Sequence, residues 1–316
     1  MISRYPFTEQ QQVNGRTKQY KHSLCRSTQA KQLFFVMAMI ILLISPAQAV
    51  NKPSPVKPPI TAYIAIIIDD LGYKLKHDQR ALELPGPVTF AFLPFTPQAG
   101  RLAEKAHNRG NEVMLHLPMQ SIEPVKIGPG ALTKDMGREQ FKISVLKSIL
   151  SIPHVRGVNN HMGSLITSEQ QQMNWLMEEL ARTSLFFVDS RTTSKTVGQK
   201  TAARFNVANT QRNIFLDHFR TPQAIETKFD QLIKLAKKNG AAVGIGHPHP
   251  ATMDILEKKI PQLVAAGIRL VPVSELIHKQ YLISQAKQKK KLKETSALTN
   301  NQALHSYPQH KHREGK

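Results

Sequence analysis

Cysteine is almost missing from this chain: Cys25 is the only one in 316 residues. One thiol cannot form an intrachain disulfide, so the fold must rest on an ordinary hydrophobic core, which a chain of this length can build. Acidic residues are also scarce, 22 against 43 Lys and Arg, and the formal net charge of +21 suggests a nucleic-acid partner until the charge is located. Residues 1–32 carry +5 and residues 279–316 carry +7, which leaves +9 for everything between them. The basicity lies mainly in the tails, and no nucleic acid is expected as a partner. A Gly-x-Gly-x-x-Gly turn is lacking, which argues against a dinucleotide-binding unit.

The N-terminal apolar run, "LFFVMAMIILLI" at 33–44, is short of the ~20 residues that a bilayer span requires. It follows a basic stretch and precedes Ser45-Pro46-Ala47-Gln48-Ala49, with the small-residue spacing of a secretory cleavage site. Residues 1–49 are therefore expected to be a basic n-region plus signal peptide, directing the chain to a bacterial periplasm and removing Cys25. An uncleaved segment anchored in the inner membrane is the alternative. Residues 50–60 form a Pro-rich, semi-rigid linker. Residues 279–316 are basic and polar without a sustained apolar period, and are expected to be disordered. This tail has two readings: contact with an anionic envelope surface, or simple solvation.

Between 61 and 278, apolar runs of strand length alternate with helical patterns. Strands are expected at 62–68, 88–93, 111–116, 155–159, 185–189, 241–246 and 268–273, with a weaker one near 205–208. End signals mark the helices between them. Ser168 opens a capping box, Thr221-Pro222 supplies a cap and a first-turn proline, and Gly240 closes the same helix. Thr252 caps a last long helix, which Gly267 ends. Alternation of this kind predicts an α/β fold with a parallel sheet, closed or nearly closed into a distorted β/α barrel of seven or eight strands.

Polar residues collect at the strand ends. Asp69 and Asp70 end the first strand of "IAIIIDDLGY", His116 the third, and Asn159, Asn160 and His161 the fourth. Asp189 ends the fifth, followed by Ser190 and Arg191, while His247 and His249 follow the seventh in "GIGHPHP". In a parallel barrel all these ends open on one face, where active sites form. Each residue also has a structural explanation. The aspartates could make a turn, His116 could be a core histidine, and Asp189 and Arg191 could be an ion pair. Two adjacent aspartates on a regular strand point to opposite faces, so both reach the cleft only if the chain turns at Asp70. The residue types suit hydrolysis assisted by a divalent metal. A carboxylate and two imidazoles can hold Zn²⁺ with a position left open for water, a second carboxylate can take a proton, and a histidine can protonate the leaving group.

Five stretches, "IIIDDLG", "EVMLHLPM", "GVNNHMGS", "FFVDSRT" and "GIGHPHP", together resemble the divergent polysaccharide deacetylases, relatives of the NodB-homology carbohydrate esterases. The resemblance covers about Tyr63 to Leu276. It implies a NodB-homology-like distorted barrel and hydrolysis of an N-acetyl group on an amino-sugar polysaccharide of the cell envelope. By that resemblance Asp69 is the base, Asp70 and His116 bind a divalent metal such as Zn²⁺, and His247 is the general acid.

Gln120 departs from the pattern, because the better-known esterases place a second metal histidine there. His161 is the candidate replacement, with His249 next. Asn160, Asp189, Arg191 and His249 are expected around the site, with Asp189 and Arg191 orienting Asp69 or His247. Trp175 is the only tryptophan and is expected on a helix, so aromatic platforms for a sugar reduce to Tyr73, Phe92 and Phe95. The alternative function is a catalytically inactive envelope protein on the same fold that binds glycan or a protein partner. Another metal-dependent hydrolase, acting on a phosphodiester or glycosidic bond, fits the residue types but not the motifs.

Overall fold

Strand β1 (Ala62–Leu71) is ten residues long and buried nearly throughout, as its β-branched run dictates. The computed structural model describes residues 58–305. The expected signal segment and most of the linker lie outside the described residues. Among the described residues, no helix is long and apolar enough to cross a membrane.

The remaining strands are β2 (Thr89–Phe92), β3 (Glu112–Met119), β4 (Val155–Met162), β5 (Phe186–Asp189), β6 (Asn209–Gln211), β7 (Ile214–Phe215), β8 (Ala241–Gly246) and β9 (Ile268–Leu270). The helices are α1 (Leu75–Ala81), α2 (Ala99–Asn108), α3 (Arg138–Leu150), α4 (Gln170–Leu180), α5 (Gly198–Arg204), α6 (Pro222–Asn239), α7 (Pro250–Lys259) and α8 (Val273–His305). The sheet runs β6-β5-β4-β3-β2-β1-β8-β7, and its strand pairs are parallel. Its two edges are joined by consecutive chain. The Arg212 amide donates to Asp189 O on β5, and the next amide, Asn213, donates to Val243 O on β8. Residues 209–215 thus act as one strand that changes partner midway and closes the distorted barrel. β9 lies beside the first half of β1, on the edge that β2 occupies further along.

Alternation sorts the apolar residues into two cores. Ile64, Ile66, Ile68, Phe90, Phe92, Leu115, Val158 and Phe187 pack outward against the helices. Ala65, Ile67, Ala91, Met114, Phe186, Val188, Val243 and Ile245 fill the interior, with Val273 and Leu276 of α8. Gly157 is at an inward position, and glycine suits it because a Cβ there would lie 2.2 Å from the Phe186 ring, which takes that space. The first turn of α8 meets Thr89 and Glu112, the first residues of β2 and β3. The Val273 amide donates to Thr89 and the Ser274 amide to the Glu112 carboxylate. An acid at that helix start suits the unsatisfied amides.

Several local expectations are corrected. The weak strand placed near 205–208 falls at 209–211, because α5 and its last turn occupy the earlier residues. The Ser168 hydroxyl does not cap a helix; it donates to Leu165 O, and α4 starts after Glu169. Thr252 lies inside α7, where its hydroxyl donates to Asp217 Oδ2, and His249 holds the N-cap position before Pro250. The tail expected to be disordered continues α8 as far as His305. The Thr221 cap and the left-handed Gly240 stand as expected.

Candidate active site

The inward-facing rows of the barrel end in polar residues. On β1 the row Ala65, Ile67 continues to Asp69, and on β3 Met114 is followed by His116. On β4 Gly157 leads to Asn159 and His161, on β5 Val188 leads to Ser190, and on β8 Ile245 leads to His247. This is strand periodicity carried one step past the apolar core.

Asp70 breaks that period. The register slips between Ile68 and Leu71, and Asp70 takes the left-handed conformation with φ 63°. The bulge turns two successive carboxylates toward the same cleft, as bulges next to active sites do. The Asp78 carboxylate fixes the following loop by accepting from the Gly72 and Lys74 amides at 2.9 and 3.0 Å. Met162, the last residue of β4, and Phe95 and Arg191, just past β2 and β5, are also left-handed. Such backbone costs of order 1–3 kcal/mol per residue and tends to gather at functional sites.

Asp70, His116 and His161 meet. Asp70 Oδ1 is 2.8 Å from His161 Nδ1 and 3.2 Å from His116 Nε2, and the two nitrogens are 3.1 Å apart. The Asn159 amide donates to both Asp69 oxygens at 2.9 and 3.1 Å, so its carbonyl oxygen must face His116 Nδ1, 2.8 Å away. Nδ1 then carries the proton, and the Nε2 lone pair points at Asp70. Asp70 Oδ1 is buried without a hydrogen-bond partner, although two nitrogens crowd it. Lone pairs packed this closely repel each other unless a proton or a metal ion lies between them. Tetrahedral ligands about 2.0–2.1 Å from a metal stand roughly 3.3 Å from each other, close to the spacing seen here. The donor set fits a divalent metal.

Asp69 lies beside this group, with Oδ2 3.7 Å from His116 Nε2. Burial raises its pKa, against the pull of His116, His247 and the Asn159 amide. Burial also opposes ionisation of Asp70, but the close approach of the His116 and His161 ring nitrogens and the charge of His116 and His247 outweigh it and hold that carboxyl well below its ordinary value. Burial works against the charged form of His116, yet Asp69 and Asp70 raise its pKa.

His247 stands opposite, its Nε2 3.7 Å from Asp70 Oδ2. Its Nδ1 lies 3.0 Å from Asp217 Oδ1, and its amide donates to Asp217 Oδ2 at 2.7 Å. Burial would lower its pKa, but the hydrogen bond to Asp217 and that carboxylate's charge push it up to about 9. Asp217 itself is held low, because bonds from His247 and Thr252 overcome its burial.

Other expected residues have different places. Asn160 borders the cleft at the end of β4 and ties two loops together, accepting from the Ser190 amide and donating to Met162 O. Asp189 faces outward, accepting from the Arg191 and Gln199 amides and the Thr196 hydroxyl. The Arg191 guanidinium donates to Gln211. Neither residue orients Asp69 or His247, which corrects the sequence expectation; Asn159 and Asp217 hold those positions. His249 lines the cleft and groups with Asp217 and His247, away from the Asp70 triad. Gln120 turns away and accepts from the Lys134 amide, so His161 completes the triad. Trp175 packs on Phe141 from α4. Phe92 is buried, and Tyr73 remains beside the triad.

Asp217 escaped the sequence reading. It follows "IFL", the same signal of an apolar run ending in an acid, but β7 is only two residues long.

Residues 66–277 match a family model described as divergent polysaccharide deacetylase. The uncharacterized protein YibQ of Escherichia coli strain K12 is 35% identical over 221 residues, covering 70% of this chain and 69% of that protein. An uncharacterized protein of Haemophilus influenzae is 36% identical over 211 residues, covering 66% of this chain and 72% of its own length. The crystal structure of an uncharacterized protein from Agrobacterium tumefaciens shares the fold. Its TM-score is 0.67 at 24% identity, over 70% of this chain and 92% of that one.

Proposed function

This chain belongs to the divergent polysaccharide deacetylase family, and on that premise we propose that it is a metal-dependent hydrolase removing an N-acetyl group from an amino-sugar polysaccharide of the cell envelope. One observation carries the reading: a three-ligand group, Asp70, His116 and His161, lies between a buried carboxylate on one side and a carboxylate-supported imidazole on the other. A divalent cation held there, with zinc the expected ion, would act as a Lewis acid and lower the pKa of a bound water.

The chain's own groups supply the proton transfers. Asp69, fixed by Asn159, takes the proton from the water that attacks the amide carbonyl. The water oxygen adds to the carbonyl carbon, and the C–N bond breaks when that tetrahedral adduct collapses, giving acetate and a free amine. His247, kept protonated by Asp217, delivers its proton to the departing nitrogen. Leu93, Pro94, Pro118 and Ile127 line an apolar pocket beside Asp70 that would receive the acyl methyl.

Export to the periplasm, by cleavage of the leader or with it retained as an anchor, agrees with an envelope substrate, and the lysines of α8 are suited to an anionic envelope surface. Acetate release from N-acetylglucosamine oligomers by the zinc-loaded full chain tests the activity. Asp69→Asn should lower kcat by about 10²–10⁴-fold while zinc content is unchanged. An unchanged rate in that variant would overturn the role of Asp69. If neither the wild type nor zinc addition gives any turnover across acylated glycans, the reading as an enzyme falls and a binding protein remains.

A further inference from the structure

Two cavities meet at the triad. The apolar one, about 320 Å³, and a polar one, about 690 Å³, share Asp70, Lys74, His161, His247 and His249. The polar cavity is bordered by Lys74, Arg191, Arg212 and Arg220, and Lys126 borders the apolar one. Asp69, Asp70 and Asp217 are the only carboxylates among the described residues that line either cavity, and each is committed to an imidazole or an amide within the site.

Among the described residues, none of these five cations has a carboxylate partner, whereas Arg80, Arg109 and Arg138, away from the cleft, each pair with one. Arg212 is anchored by donating to the carbonyls of Ser190 and Arg191, which leaves donors unused on a half-buried guanidinium. Burial presses the His249 imidazole toward its neutral form, and the charges of Arg220, His247 and Lys74 act in the same direction against the pull of Asp217. Like charges gathered around a cleft repel each other and favour an incoming anion.

We propose that the substrate carries a negative charge on the sugar side of the scissile amide, a carboxylate or a phosphate, which Lys74, Arg212 and Arg220 recognise. This assignment rests on the deacetylase reading for the position of the amide, while recognition of the anion can be measured without turnover. The acyl group enters the apolar cavity, and the charged sugar occupies the polar one. A neutral glycan would leave the cations unpaired.

The test is calorimetric binding of three probes to the full chain: N-acetylglucosamine tetramer, the same tetramer oxidised to the carboxylate at C6, and its C6 phosphate. Each is measured with zinc and after removal of zinc by a chelator, so that an anion bound to the metal is separated from one bound to the cations. Charged hydrogen bonds of about 1.5–3 kcal/mol predict that one anionic probe binds about 10–100-fold more tightly than the neutral one, with or without zinc. The two anionic arms tell carboxylate from phosphate. Lys74→Gln combined with Arg220→Gln should remove most of that advantage, whereas Lys234→Gln on the exposed face of α6 should not. Equal binding of all probes, or an advantage that survives the double substitution or vanishes with zinc, overturns the proposal. A preserved advantage without acetate release from any probe overturns the deacetylase reading instead.

Discussion

The side-chain amide of Asn159 bridges both carboxylate oxygens of Asp69, and the two residues come from strands that are not neighbours in the sheet. The contact reaches across the barrel interior. It fixes which way the Asn159 amide points, and through that the tautomer of His116. One neutral side chain therefore aims both the proposed base and a proposed metal ligand.

Replacing Asn159 with Ala should strip both supports. Leaving buried polar groups unpaired costs about 1–3 kcal/mol, and loss of a partner to a metal-bound histidine weakens metal affinity about 10–100-fold. Urea unfolding and a competitive zinc titration measure the two effects. A variant with unchanged zinc affinity would show that His116 is oriented by other contacts.

Asp217→Asn should move the alkaline limb of the pH–rate profile. As the proposed acid, His247 must be protonated, so the rate should fall as pH rises through its pKa of about 9. Without the carboxylate the imidazole relaxes toward about 6.5, and the fall should begin roughly two units earlier. A limb that stays near its original place would assign it to another group.

Metal binding should weaken as the solution is acidified. The pKa of His116 is raised by Asp69 and Asp70, and a metal must displace that proton, whereas Asp70 is already ionised. Zinc added at pH 6.5 in weak buffer should release protons as it binds. Proton release close to zero at that pH would mean that His116 binds already neutral.

Gly157→Ala addresses the barrel interior rather than the chemistry. The new methyl would meet the Phe186 ring at 2.2 Å, with that ring already packed inside the barrel. Overpacking of this kind costs about 1–3 kcal/mol, visible as a lower denaturation midpoint. Restored stability in Gly157→Ala/Phe186→Leu would confirm the cause.

The strand ends were legible because burial leaves a simple signature: an apolar run that stops at an ionisable residue. That signature pointed to Asp69 and His247 without knowledge of the sheet order, whereas β3 and β4 run on past His116 and His161 to Met119 and Met162. It misjudged Asp189, because inward and outward positions alternate and only the packed register shows that Phe187 and Asp189 face the helices. It passed over Asp217 because two strand residues are too few for a period. Asn159 was visible as a strand end, but its role depends on Asp69, ninety residues earlier, lying within reach of its amide. The left-handed turn at Asp70 could be stated only as a condition, since φ is set by the bulge against β2.

The strand that changes partner at Arg212-Asn213 has a mechanical consequence. It is a seam, held to β5 on one side and β8 on the other by short runs of hydrogen bonds. Arg212 lies on the seam and Asp217 just past it, so a fluctuation that parts the seam also withdraws the carboxylate from His247. Loss of the Asp217 support to His247 is then expected as an early, local event, and heat or denaturant should abolish the proposed activity while most of the barrel is still intact.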